Sequence, residues 1–157
     1  NERKKVMAFK LSQRSLGRLD GVKPAMHSVV TTAIGLSNVD FGCICGLRTE
    51  AEQADLVARG ASQTHKSKHL TGDAVDLMAY ISGRASWELN LYDDIADAMK
   101  EAAVREGAKI RWGAAWQIND LRDWEGTAEE AMNAYIDLRR SQGRRPFIDG
   151  PHFELMD

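Results

Sequence analysis

The sequence predicts an α+β domain in which a small, mainly antiparallel sheet is flanked by helices. Several segments carry apolar residues at helical spacing, and short apolar runs closed by glycine or proline read as strands. The two kinds of segment are interspersed without the regular crossover units of a doubly wound parallel sheet. With 157 residues, 43% of them hydrophobic, the chain has material for one core and not comfortably for two. Residues 7–157 are therefore expected to form one domain, with Met7 as a candidate start and residues 1–6 as an extension outside it.

Phe9, Leu11, Leu16 and Leu19 suggest a short, irregular helical or turn segment. From Pro24, a residue suited to a first helical turn, Ala25, Val29, Val30, Ala33, Ile34 and Leu36 trace a core-facing helix that ends near Asn38. Val39 to Gly46 reads as a buried strand, and Glu50 to Arg59 as a helix stopped by Gly60, so that Arg48 falls between a strand and a helix. Ala74 to Tyr80 is the next strand. Leu91, Ile95, Ala98, Met99 and Ala102 stripe a helix that stops at Gly107, and Lys109 to Trp112 follows as a strand. Thr127 with Glu129 and Glu130 marks a further helix start, closed by Gly143, and Pro151 to Met156 forms the last strand. The long charged stretch from Asp120 to Arg145 carries no motif.

A net charge of −2 and a pI near 6.1 give no basic footprint for nucleic acid. No run approaches the roughly 18 apolar residues of a membrane span, so no membrane insertion is expected, and the basic start at Arg3 to Lys5 is followed by too short an apolar stretch for a secretory signal. Cys43 and Cys45 share one face of a regular strand and are read as two buried thiols rather than as metal ligands.

Chemistry concentrates in two places. In Ser67-Lys68-His69-Leu70-Thr71-Gly72-Asp73-Ala74-Val75-Asp76 a loop histidine precedes, by seven residues, an aspartate inside an apolar strand. Burying that carboxylate is costly unless a metal ion or a basic side chain compensates it. In Asp149-Gly150-Pro151-His152-Phe153-Glu154 a histidine lies between two carboxylates. Together His69, Asp76 and His152 offer three nitrogen and oxygen ligands and leave the fourth tetrahedral position that a catalytic zinc keeps open. Asp149 and Glu154 are rival bases, with spacing alone leaving them nearly even.

The spaced Ser-x-His-x-x-Gly-x-Ala-x-Asp at 67–76 and the terminal Asp-x-x-His at 149–152 resemble the M15 zinc metallopeptidases, which include D-Ala-D-Ala carboxypeptidases, dipeptidases and phage endolysins. Gly46-Leu47-Arg48-Thr49 with Gln53, Gly60 to Thr64, and Gly150 to Leu155 look most like the L-alanyl-D-glutamate endopeptidases of phages, and the resemblance runs from about Phe9 to the end. It implies a Hedgehog/DD-peptidase-like fold, one zinc ion on His69, Asp76 and His152, Asp149 as general base and acid, and Arg48 supporting the oxyanion. Ser67 and Gln53 would be substrate-side or supporting groups, and Glu154 would orient a ligand. One departure stands out: after Arg111-Trp112-Gly113 the related enzymes commonly carry a second glycine and an acidic residue, where this chain has Ala114-Ala115-Trp116.

The implied function is an endolysin that cuts the L-Ala to D-Glu bond of the bacterial peptidoglycan stem peptide. Such a protein is expected to be a monomer made in the host cytoplasm, reaching the wall after membrane permeabilisation. A D-Ala-D-Ala carboxypeptidase or dipeptidase is the same-class alternative, and a non-catalytic zinc-stabilised wall-binding module the alternative from another class. His27 and His65 read as surface histidines, and Trp112, Trp116 and Trp124 as core rather than contact residues. Arg139, Arg140, Arg144 and Arg145 read as a complement to a helix dipole, with attraction to an anionic envelope as the functional version.

Overall fold

The structure, a computed structural model, describes residues 8–157. The expected extension at 1–6 lies outside the described residues. In chain order the elements are α1 (Gln13–Leu19), α2 (Pro24–Leu36), β1 (Asp40–Cys45), α3 (Glu50–Ala58), β2 (Ala74–Ile81), β3 (Arg84–Ser86), α4 (Leu89–Glu106), β4 (Ile110–Trp112), α5 (Ala128–Ser141) and β5 (His152–Leu155). Two short 3-10 turns, Lys68–Thr71 and Leu121–Asp123, complete the set.

The strands form one sheet in the order β1-β2-β5-β4, with β3 also paired to β2, and every pairing is antiparallel. This is the expected α+β architecture. The short strand β3 was not anticipated: Ser82 and Gly83, both at positive φ, turn β2 back on itself, and three residues are too few to show a period in the sequence.

Alternation along the strands divides the sheet into two faces. Val75, Leu77 and Ala79 of β2, Phe153 of β5, and Ile110 and Trp112 of β4 are fully buried in the core with the apolar stripes of α2 and α4. The opposite face carries Asp76, His152, Glu154 and Arg111, because Asp76 pairs with His152 and Arg111 with Glu154 across neighbouring strands. One strand parity thus builds the core while the other gathers polar groups into one place.

Helix ends follow local chemistry. Pro24 opens α2, and the left-handed Gly107 (φ 69°) closes α4. Thr49 with Glu52 and Thr127 with Glu130 form reciprocal capping boxes at the starts of α3 and α5. α5 lies against α4, with Ala128, Ala131 and Met132 turned inward, which gives the charged 120–145 stretch a structural place.

The stripe on α4 carries a direct test. Ile95 is fully buried, whereas Val104 on the same helix is 54% exposed. Ile95→Ala is expected to cost about 2–5 kcal/mol in urea unfolding, and Val104→Ala to stay within about 0.5 kcal/mol of the parent.

Candidate metal centre and substrate cleft

Asp76 is the hub of the polar face. Its Oδ2 lies 3.3 Å from His69 Nε2 and its Oδ1 lies 3.3 Å from His152 Nδ1. Asp149 brings a carboxylate oxygen to within 4.8 Å of the Asp76 and His152 ligand atoms, and Arg48 Nη2 stands 3.7 Å from Asp76 Oδ2. The three expected ligands and the two expected catalytic side chains therefore meet in one cleft of about 810 Å³, which Ser67 and Glu154 also line.

Each imidazole is oriented from its far side. His69 Nδ1 donates to Gly46 O at 2.9 Å, leaving Nε2 to face Asp76. His152 Nε2 donates to Glu154 Oε1 at 2.8 Å, leaving Nδ1 to face the same carboxylate. Two imidazoles with their outer nitrogens fixed and their inner nitrogens turned to a shared carboxylate are a donor set that suits zinc. Glu154 is in turn held by Lys68 Nζ, 3.6 Å from Oε2.

The backbone makes these positions available at two glycines. A Cβ on Gly46 would come within 2.2 Å of Arg18 O, and one on Gly113 within 2.3 Å of Asp149 O. Gly113 also bonds both partners of the terminal motif, donating to His152 O and accepting from Asp149 N at 2.8 Å each. His69 lies in the 3-10 turn rather than in open loop, and Ser67 caps that turn by accepting from His69 N at 3.2 Å.

Arg48 follows β1 after Gly46 and Leu47, and the α3 capping box begins at the next residue. The Arg48 amide donates to His69 O, and its Nη1 donates to Gln53 Oε1 at 2.7 Å. Gln53 is almost wholly buried and donates to Ser62 Oγ and to Thr64 O, so it fixes Arg48 from behind while tying down the loop that walls the cleft.

Two side chains depart from the sequence reading. Cys45 is half-buried beside the site, with its sulfur 3.2 Å from Arg48 Nη2 and 3.6 Å from His69 Nδ1. A bulge between Cys43 and Cys45 is responsible: Cys43 pairs with Leu77 and Cys45 with Asp76, so the two thiols do not share a face. Ligand atoms within 4.8 Å of one another form two groups, Asp76 with Asp149 and His152, and Asp76 with His69 and Cys45, so that the two histidines meet at Asp76 without sharing a group. Trp116, expected in the core, lines the cleft, its ring 5.6 Å from that of His152 and stacked on Phe147. Trp112 is fully buried as expected. The only sequence signal for Trp116 was its place in the departure after Gly113.

Burial opposes charge on both histidines, but hydrogen bonds outweigh it. Asp76 and Cys45 raise His69 to about 10, and Asp76 and Glu154 raise His152 to about 9. Burial likewise opposes charge on Asp76, yet its bonds to His152 and His69 hold it well below the usual carboxylate range. Asp149 goes the other way: burial pushes its carboxyl up, and the Asp76 charge adds to the effect.

The comparisons with known proteins bear on this geometry. The family model described as phage L-alanyl-D-glutamate peptidase matches residues 7–156. The chain belongs to that family. It is 39% identical over 154 residues to the L-alanyl-D-glutamate peptidase of Escherichia phage T5, covering 96% of this chain and all of that one. The crystal structure of the Serratia marcescens L-Ala D-Glu endopeptidase ChiX superposes with a TM-score of 0.70 at 33% identity, over 96% of this chain and 92% of the other. Its likeness accords with the small antiparallel sheet flanked by helices.

The raised histidines fix the sign of a pH effect. A folded-state value above the ordinary 6.5 means that protonation stabilises the metal-free fold fully below about pH 6.5, and that this contribution is lost as pH rises through about 9 and 10. Metal must displace those protons, so metal-loaded protein gains stability from these groups only up to about pH 6.5, where the unfolded histidines lose theirs, and is expected to stay level where the metal-free fold weakens. Thermal melts of chelator-treated and zinc-loaded samples from roughly pH 6 to 10 check the falling profile of the first against the level profile of the second.

Proposed function

We propose that this chain is a zinc-dependent peptidoglycan hydrolase that cuts the L-Ala to D-Glu bond of the stem peptide. The observation that carries the reading is the convergence of His69 Nε2 and His152 Nδ1 on Asp76, with Asp149 and Arg48 beside them. The family and the names of its relatives supply the bond, and they favour an endopeptidase over a D-Ala-D-Ala carboxypeptidase or a wall-binding module. In this reading residues 7–157 are one peptidase domain acting as a monomer, and it reaches the wall once the membrane has been permeabilised. Among the described residues no helix is long and apolar enough to cross a membrane.

Zinc on His69, Asp76 and His152 would supply a Lewis acid that polarises the scissile carbonyl and acidifies the attacking water. Asp149 takes the proton from that water. The second half of its task is returning that proton to the departing nitrogen of D-Glu. Glu154 is occupied with His152 Nε2 and buried, so it serves as an orienting group and leaves the base to Asp149. Arg48, permanently charged and fixed by Gln53, offsets the charge that grows on the tetrahedral oxygen.

The test is mass spectrometry of fragments released from purified peptidoglycan by zinc-loaded protein, chelated protein and Asp149→Asn. New L-Ala carboxyl and D-Glu amino ends are expected from the loaded protein alone. Asp149→Asn should lower kcat by about 10²- to 10⁴-fold while retaining the metal. Free D-alanine as the product would move the activity to the carboxypeptidase branch, and wall binding without cleavage would leave the binding module.

A further inference from the structure

A second groove, about 500 Å³ in volume, opens beyond Trp116 between the C-terminal half of α5 and the 144–147 segment. It adjoins the catalytic cleft, since Arg111, Trp116 and Phe147 line both. Phe147 N donates to Tyr135 Oη at 3.1 Å and Trp116 Nε1 donates to Phe147 O at 3.0 Å, so the aromatic wall between the two spaces is tied to α5. The Phe147 ring is 63% exposed.

The two spaces differ in charge. The cleft mixes Asp76, Asp149 and Glu154 with Arg48, Lys66, Lys68 and the shared Arg111, whereas the groove presents Arg111, Arg139 and Arg144 and no acidic side chain. Among the described residues none of these three guanidinium groups lies within 4.0 Å of a carboxylate. Arg111 is braced over the Trp116 ring and against Trp116 O, but Arg139 and Arg144 have donors to spare.

Polarity along the cleft follows from the proposed reaction, in which Arg48 serves the carbonyl oxygen and Asp149 the departing nitrogen. Only Ile148 separates Asp149 from Phe147. Phe147 lines both spaces, so the groove adjoins the side of the cleft that carries Asp149.

We infer that this groove is a subsite for the carboxylate-bearing peptide that follows D-Glu in the stem, with Arg139 and Arg144 as specificity-determining residues. The inference rests on the endopeptidase reading. Charge complementarity selects this occupant over the glycan, because sugar hydroxyls give three unpaired guanidinium groups nothing to neutralise, whereas peptide carboxylates pair with them.

The experiment compares two soluble substrates with the zinc-loaded full chain: N-acetyl-L-Ala-D-Glu, which ends at the cut residue, and the N-acetylated tetrapeptide stem. The variants are Arg139→Ala with Arg144→Ala, the same pair changed to Lys, and Arg140→Ala with Arg145→Ala, two exposed positions outside the groove. The alanine pair at 139 and 144 should raise KM for the tetrapeptide about tenfold with kcat unchanged, and should leave the short substrate unaffected. The lysine pair should recover part of the loss, and the 140/145 control should match wild type.

Equal losses on both substrates, an equal loss in the 140/145 control, or an unchanged KM for the tetrapeptide would overturn the subsite while leaving the endopeptidase intact. An effect confined to sugar-bearing muropeptides would give the groove to the glycan instead and overturn the inference. A wild-type protein that cuts neither peptide nor whole peptidoglycan would remove the endopeptidase reading and the subsite with it.

Discussion

A carboxylate in the middle of an antiparallel sheet must be compensated, and the way Asp76 is compensated organises this molecule. β2 is the strand that pairs with β1, β3 and β5, so the position of Asp76 is set by the whole sheet. Desolvation alone would favour its neutral form. His69 and His152 reverse that preference from opposite sides, and Arg48 adds a third positive group. Each of these is fixed by something further out: Gly46 O for His69, Glu154 for His152, Gln53 for Arg48. Removing the hub would leave two buried imidazoles and a guanidinium facing one another, which explains why the supporting shell is so heavily bonded.

The cleft built around that hub is lined by Arg48, which precedes the capped start of α3, and by Asp149, Trp116 and Phe147. Close backbone contact at Gly113 holds the terminal motif against β4, which keeps Asp149 beside His152. In the proposed reaction these residues divide the two charge tasks of amide hydrolysis, with a permanent cation for the growing oxyanion and a titratable acid for the leaving nitrogen.

Most of the architecture was legible because it depends on local signals. The stripes of α2 and α4, the proline at the start of α2, the Thr127 start of α5 and the glycine stops all act within a turn of where they appear. The candidate site was legible for another reason: two spaced motifs resemble those of a family, and that likeness chose Asp149 over Glu154 where spacing left them even. What escaped depends on pairing. The bulge that turns Cys45 toward Asp76 exists only between strands, so alternation on β1 put both thiols on one face. Trp116 looked like core because aromatic residues near strand ends are more often buried, yet its ring packs on Phe147, thirty-one residues away. The arginines at the end of α5 do lie where a helix dipole favours them, but Arg139 and Arg144 also line a groove that only tertiary folding creates.

Asp76 belongs to two overlapping donor groups, one with His152 and Asp149 and one with His69 and Cys45, and the account assigns the metal to His69, Asp76 and His152. Zinc-edge X-ray absorption on the loaded protein separates these directly, because zinc–sulfur distances are about 2.3 Å and zinc–nitrogen distances about 2.0–2.1 Å. The account predicts a first shell of nitrogen and oxygen alone, with two imidazole scattering patterns and no change in Cys45→Ser. A sulfur at the longer distance that disappears in Cys45→Ser would contradict it and move the metal to the Cys45 side of Asp76.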